Sequence, residues 1–221
     1  MQLVAKAVDA VAPATHVAFI EHDEPRVDDW LAEQSGGDSV VALGMLLAPG
    51  YHATVDVPRL LRQASENADV VDRGVLGTGP WLHRTLDWLV ADVGGGNATP
   101  VVLAVAGSTR IEARASLAAF AEQWGGTRPG RVHLAAATGP GPSLDDVVAS
   151  VASVAPGTSQ GTPDGVVLPL MIAPGVLADR ARTVAAGHGL VTTGTLADSP
   201  HFAAAVAARL RPSPGRAARR R

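Results

Sequence analysis

Two short stretches hold side chains able to do chemistry. In Leu46–Leu61, LLAPGYHATVDVPRLL, a hydrophobic run stops at Ala48-Pro49-Gly50, a single histidine follows at position 52, and the pattern then turns amphipathic. In Phe19–Pro25, FIEHDEP, the side chains of Glu21, His22, Asp23 and Glu24 gather where another apolar run stops. Imidazole and carboxylate together suit borderline divalent ions such as Fe2+ and Co2+, and both groups can accept a proton from a bound substrate. His52 is therefore the first candidate. Glu21, nearest the end of its apolar run, is the second. Each is assigned as a metal ligand and as a catalytic residue. An imidazole ligates a metal only when neutral, so metal binding is expected to strengthen as pH rises.

Other chemistries find less support. His16 and His133 open corresponding apolar runs, at the far end from the candidates. His83 and His201 lie near helix starts and His188 in a turn, and all five read as structural or solvated. The Gly-Pro stretches GTGP (77–80) and GPGP (139–142) lack the glycine spacing of a dinucleotide loop, so no nucleotide is expected. Ser108 sits in no Gly-x-Ser-x-Gly elbow, which argues against acyl transfer. The chain has no cysteine, which removes disulfides and thiolate sites, and its net charge of -3 gives no reason to expect a nucleic-acid partner. No apolar run reaches the roughly 20 residues that span a bilayer, so no membrane partner is expected, and the lack of cysteine fits a cytoplasmic location. Hydrophobic residues make up 47% and aromatics only 4%, so Val, Ala and Leu must build the core.

The elements that would position the candidates alternate. Residues 15–21, 39–48, 100–107, 131–137 and 164–173 read as strands, with 68–77 and 189–197 as weaker ones. Helical patterns include 112–124, 143–154 and 199–210. Several strands are apolar on both faces, as in parallel sheets covered on each side. The fold class is α/β with doubly wound sheets. His52 then stands beyond the carboxyl end of a strand, where such sheets bind ligands. Thr54 is positioned to cap the helix that follows, with Asp56 favourable in its first turn and Pro58 tolerated there.

The chain also repeats itself. Pro49-Gly50 matches Pro174-Gly175 at an offset of 125, Leu76 and Pro80 match Leu196 and Pro200 at 120, and Pro25 matches Pro142 at 117. The units are expected at 1–93 and 101–211, with a linker over 94–100 and a solvated, disordered basic tail over 212–221. His52 has Leu177 as its counterpart. The strand–loop–helix that opens the second unit, VVLAVAGSTRIEARASLAAF, has no counterpart in the first, so the first unit is expected to be incomplete at its N-terminus.

The stretches LAPGYHATVDVPRLL, AFIEHDEPRVDDWL and AGSTRIEARASLAAFA together resemble the sirohydrochlorin chelatases, over roughly residues 5–211. The resemblance implies two α/β units facing a central cleft that takes a tetrapyrrole. It also implies ATP-independent insertion of Co2+ or Fe2+, as substrate metal, into sirohydrochlorin for cobalamin or siroheme. His52 and Glu21 would serve as metal ligands and proton acceptors, and two fused units would form a monomer. In the family's first-strand His-Gly-Ser motif, the second unit has Ala106-Gly107-Ser108. The first unit lacks the motif, which leaves as an alternative a non-catalytic relative that binds tetrapyrrole or metal.

Overall fold

The computed structural model describes residues 15–21, 23–33, 39–66, 68–154 and 162–211. His22 and the expected basic tail lie outside them. The elements run α1 (Val27–Ala32), β1 (Ser39–Gly44), a π-helical turn (His52–Asp56), α2 (Val57–Ala64), β2 (Asp69–Val75), α3 (Pro80–Asp92), β3 (Val101–Val105) and α4 (Ile111–Gly125). There follow β4 (Val132–Ala136), α5 (Leu144–Val154), β5 (Val166–Pro169), α6 (Val176–Gly187), β6 (Val191–Thr192) and α7 (Pro200–Leu210). Among the described residues all strand pairs are parallel, in a two-stranded sheet β1-β2 and a four-stranded sheet β4-β3-β5-β6.

The second sheet is covered on both faces, and its strand side chains alternate accordingly. Val101, Leu103 and Val105 point into one core with Val166 and Leu168, while Val102, Ala104 and Val167 point into another beside α5 and α6. All five residues of β3 are buried. The first sheet is more open. Neither of its described strands holds a buried residue, and Val41 is 39% exposed. Strand β5 lies between β3 and β6, whereas β1 has only β2 beside it among the described strands.

The backbone reproduces the repeat at each offset. Val41 pairs with Val71 as Val166 pairs with Val191. An isolated bridge joins Phe19 to Arg26 as another joins Ala136 to Ser143, and the Phe19 amide donates to the Pro25 carbonyl as Ala136 does to Pro142. Two expected strands are corrected. Residues 15–21 form that single bridge rather than a strand. Their counterpart β4 draws its ladder from β3, and no described strand fills the place of β3 in the first unit. Residues 189–197 form only the two-residue β6 and then a 3-10 turn over Leu196–Asp198. There the Asp198 carboxylate accepts from the Thr195 amide at 2.7 Å and from its hydroxyl at 3.0 Å. Such local side-chain bonds compete with a ladder.

The units do not pack separately. Leu82, Leu86 and Leu89 of α3 are buried in the core of the second sheet with Leu103, Phe120, Trp124 and Phe202. The Trp124 indole N–H donates to Asp87 of α3 at 3.0 Å. In return α7 packs on β1, and Arg209 donates to the carbonyls of Arg73 (2.7 Å), Val75 (2.9 Å) and Leu76 (3.4 Å) at the end of β2. The last helix of each unit therefore lies against the sheet of the other. The segment expected as a linker is also tied down: Arg128, stacked 4.8 Å over Trp124, donates to the carbonyls of Gly96 and Thr99 at 3.0 Å each.

Candidate functional site

Past β1 the chain turns sharply at Ala48-Pro49-Gly50, where the Gly50 amide donates to the Ala48 carbonyl at 2.8 Å. The helix starts at once, with Tyr51 as its cap and no side-chain cap bond. Thr54 is therefore not the cap expected. It lies inside the helix, and its amide and hydroxyl both donate to the Gly50 carbonyl, at 3.1 and 2.9 Å. The first turn is π-helical, with the Val57 amide reaching back to His52. Pro58 has no N–H to offer the Thr54 carbonyl, so nothing holds this turn at the ordinary spacing. Widened turns of this kind often mark functional sites.

The wide turn carries His52 and Asp56. Imidazole Nδ1 lies 2.7 Å from Asp56 Oδ2, with the His52 side chain 44% exposed and the Asp56 side chain 14%. Arg59 Nη2 stands 3.9 Å from the other carboxylate oxygen. His52 thus presents a half-open ring on a rigid base. The Tyr51 ring meets it edge-on at 6.3 Å. From the second unit, the Arg110 guanidinium stands 5.8 Å from the centre of the Tyr51 ring. The loop after β3, which holds Ala106-Gly107-Ser108, therefore comes up against the loop after β1. Arg110 forms no ion pair among the described residues.

Glu21 sits exposed in the loop closed by the Phe19–Arg26 bridge. Its counterpart Thr138 donates through both its hydroxyl (2.7 Å) and its amide (3.2 Å) to the carbonyl of Ala106, the residue in the family's histidine position. By the repeat, Glu21 is the counterpart of that threonine. Among the described residues no three His, Cys, Asp or Glu side chains gather as a metal cage. Away from these residues, burial and then the Arg131 charge lower the His133 pKa, and burial lowers that of Arg128 against the opposing pull of Asp87.

The second unit treats the same positions differently. Its helix start is conserved in form, with the Asp179 amide donating to Gly175 as Thr54 does to Gly50. Leu177 replaces His52 and packs against the core, and Ala181, fully buried, stands where Asp56 does.

Residues 1–93 match the sequence model of the CbiX family. These residues, fewer than half of the chain, carry its likeness in sequence to the CbiX family. A segment of 61 residues is 31% identical to a sirohydrochlorin cobaltochelatase of Sulfolobus acidocaldarius, covering 27% of this chain and about half the length of that relative. The fold extends the likeness over the rest. SirB from Bacillus subtilis with Fe3+ superposes with a TM-score of 0.70 at 18% identity, covering 95% of this chain and 86% of that one. CbiX, the terminal enzyme of siroheme biosynthesis in denitrifying bacteria, gives 0.64 at 17%, covering 94% and 88%. No helix among the described residues is long and apolar enough to cross a membrane.

Tyr51, Asp56 and Arg110 were not singled out by the sequence as site residues. The spacing of His52 and Asp56, four apart on a helix, was the signal available for that pair. Arg110 had none, because its place depends on how the two units meet.

Proposed function

We propose that this protein inserts Co2+ or Fe2+ into sirohydrochlorin without a nucleotide, with His52 as its principal catalytic residue and metal ligand. The observation that carries the reading is His52 itself: half exposed past the end of β1, fixed by Asp56, and set where the loops of the two units meet. Insertion exchanges two pyrrole N–H protons for one dication. His52 Nε2 first holds the incoming ion or accepts a pyrrole proton, and the protons leave to solvent. Glu21 serves as a second ligand or proton acceptor. The macrocycle is polyanionic, and Arg110, with no carboxylate partner of its own among the described residues, suits one of its acidic side chains.

The test is the absorbance change of sirohydrochlorin on addition of Co2+ or Fe2+. Loss of a general base or ligand lowers the rate by about 100-fold or more, so His52→Ala should insert at least that much more slowly with its unfolding temperature unchanged. An unchanged rate would reject the role of His52. Macrocycle binding without insertion in the unsubstituted protein would instead favour the non-catalytic reading.

A further inference from the structure

The imidazole of His52 has two nitrogens, and among the described residues only Nδ1 is engaged, by Asp56. We propose that Asp56 is a positioning residue: its carboxylate accepts the Nδ1 hydrogen and thereby reserves the Nε2 lone pair for an incoming dication or a pyrrole proton. The inference rests on the role proposed for His52 above. Four observations support it. The Nδ1–Oδ2 distance of 2.7 Å is that of a strong, charge-assisted bond. Asp56 is the better buried partner, so it holds one position while the ring keeps its outward face. The other carboxylate oxygen faces Arg59, which is itself held to Gln63 Oε1 at 3.0 Å, so the acceptor is oriented from both sides. Finally, the repeat exchanges the two residues together, with Leu177 for the histidine and Ala181 for the aspartate. In the second unit the small alanine disappears into the core, as a residue freed of any polar task can do.

A carboxylate behind a ligating histidine does three things. It selects the tautomer, it restrains rotation of the ring, and it raises the basicity of the far nitrogen. Removing such a partner typically costs 10–100-fold in metal affinity or activity. Asp56→Ala should therefore bind sirohydrochlorin as the unsubstituted chain does, yet insert metal 10–100-fold more slowly. Asp56→Asn keeps an acceptor oxygen without the charge and should fall between the two.

A purely structural role would not move the decisive readout, the tautomer of His52, followed by two-bond proton–nitrogen NMR correlations at pH 8. The unsubstituted chain and Asp56→Asn should show hydrogen on Nδ1. Asp56→Ala should show a mixture dominated by hydrogen on Nε2, the form ordinarily favoured in free histidine. An unaltered tautomer in Asp56→Ala, or insertion at the full rate in that variant, overturns the proposal. The NMR arm needs no substrate. A tautomer switch in a chain that never inserts metal would sustain the positioning role while rejecting the chelatase reading.

Discussion

Substituting alanine for Gly107 tests how firmly the loop after β3, which brings Arg110 to Tyr51, is held against the loop after β4. Gly107 has φ +97, a conformation L side chains rarely adopt, and a Cβ there would lie 1.9 Å from the Thr138 carbonyl oxygen. That oxygen belongs to the backbone of the loop after β4, which cannot yield freely because the Thr138 amide and hydroxyl both donate to the Ala106 carbonyl. To reach an ordinary contact the two loops must part by more than 1 Å, against those bonds. Left-handed backbone costs about 1–2 kcal/mol for a residue with a Cβ, and two lost hydrogen bonds add about 1 kcal/mol each. The total is about 3 kcal/mol or somewhat more, which for a chain of this length lowers the unfolding temperature by about 6–12 °C. Gly139 supplies the control. It also has positive φ, +70, but nothing lies within 4 Å of its added Cβ. Gly139→Ala should therefore carry only the backbone term, about 1–2 kcal/mol. Calorimetric unfolding of both variants checks the difference. Equal, small shifts would refute the reasoning, because they would mean that the 106–108 loop relaxes at no cost.

Two further outcomes concern regions away from His52. Arg209→Ala removes three donations to the end of β2. Amide hydrogen exchange over 73–77 should accelerate, with little change in the second sheet; uniform protection throughout would show the clamp to be idle. His133 gives a pH dependence. Burial and then the Arg131 charge lower its pKa in the folded state, so the unfolded chain takes up the proton more readily. Its penalty is absent above about pH 6.5 and grows as pH falls below that ordinary imidazole value. Denaturant midpoints measured at pH 8 and 5.5 should therefore fall less on acidification in His133→Gln than in the parent.

The parts of the fold that were readable in the sequence are those whose information is local. Continuous apolar runs located β3 and β5 because every residue in those strands is buried, and β4 because its last residues are. Gly50 and Gly175 located two helix starts because the turn that precedes each is written in adjacent residues. Position 15–21 misled, since an apolar run becomes a strand only beside a pairing strand, and none of the described strands pairs with it. Thr54 misled because a threonine suits both a cap and a bond back to the preceding turn, and Pro58 decided between them at a distance of four residues. The residues around His52 divide in the same way. Asp56 lay within reach of a spacing argument, whereas Arg110 meets Tyr51 only through the packing of one half of the chain on the other, which no local pattern records.

The exchange of final helices has a mechanical consequence. A molecule made of two lobes usually admits its ligand by swinging them apart. Here the floor beneath each sheet is supplied by the opposite half, through α3 in one direction and α7 in the other. Swinging the halves open would strip Leu82, Leu86 and Phe202 from a shared interior and expose them to water. The halves are thus joined by a shared, close-packed interior. The contact between Tyr51 and Arg110 is thus carried by two halves that are packed as one body.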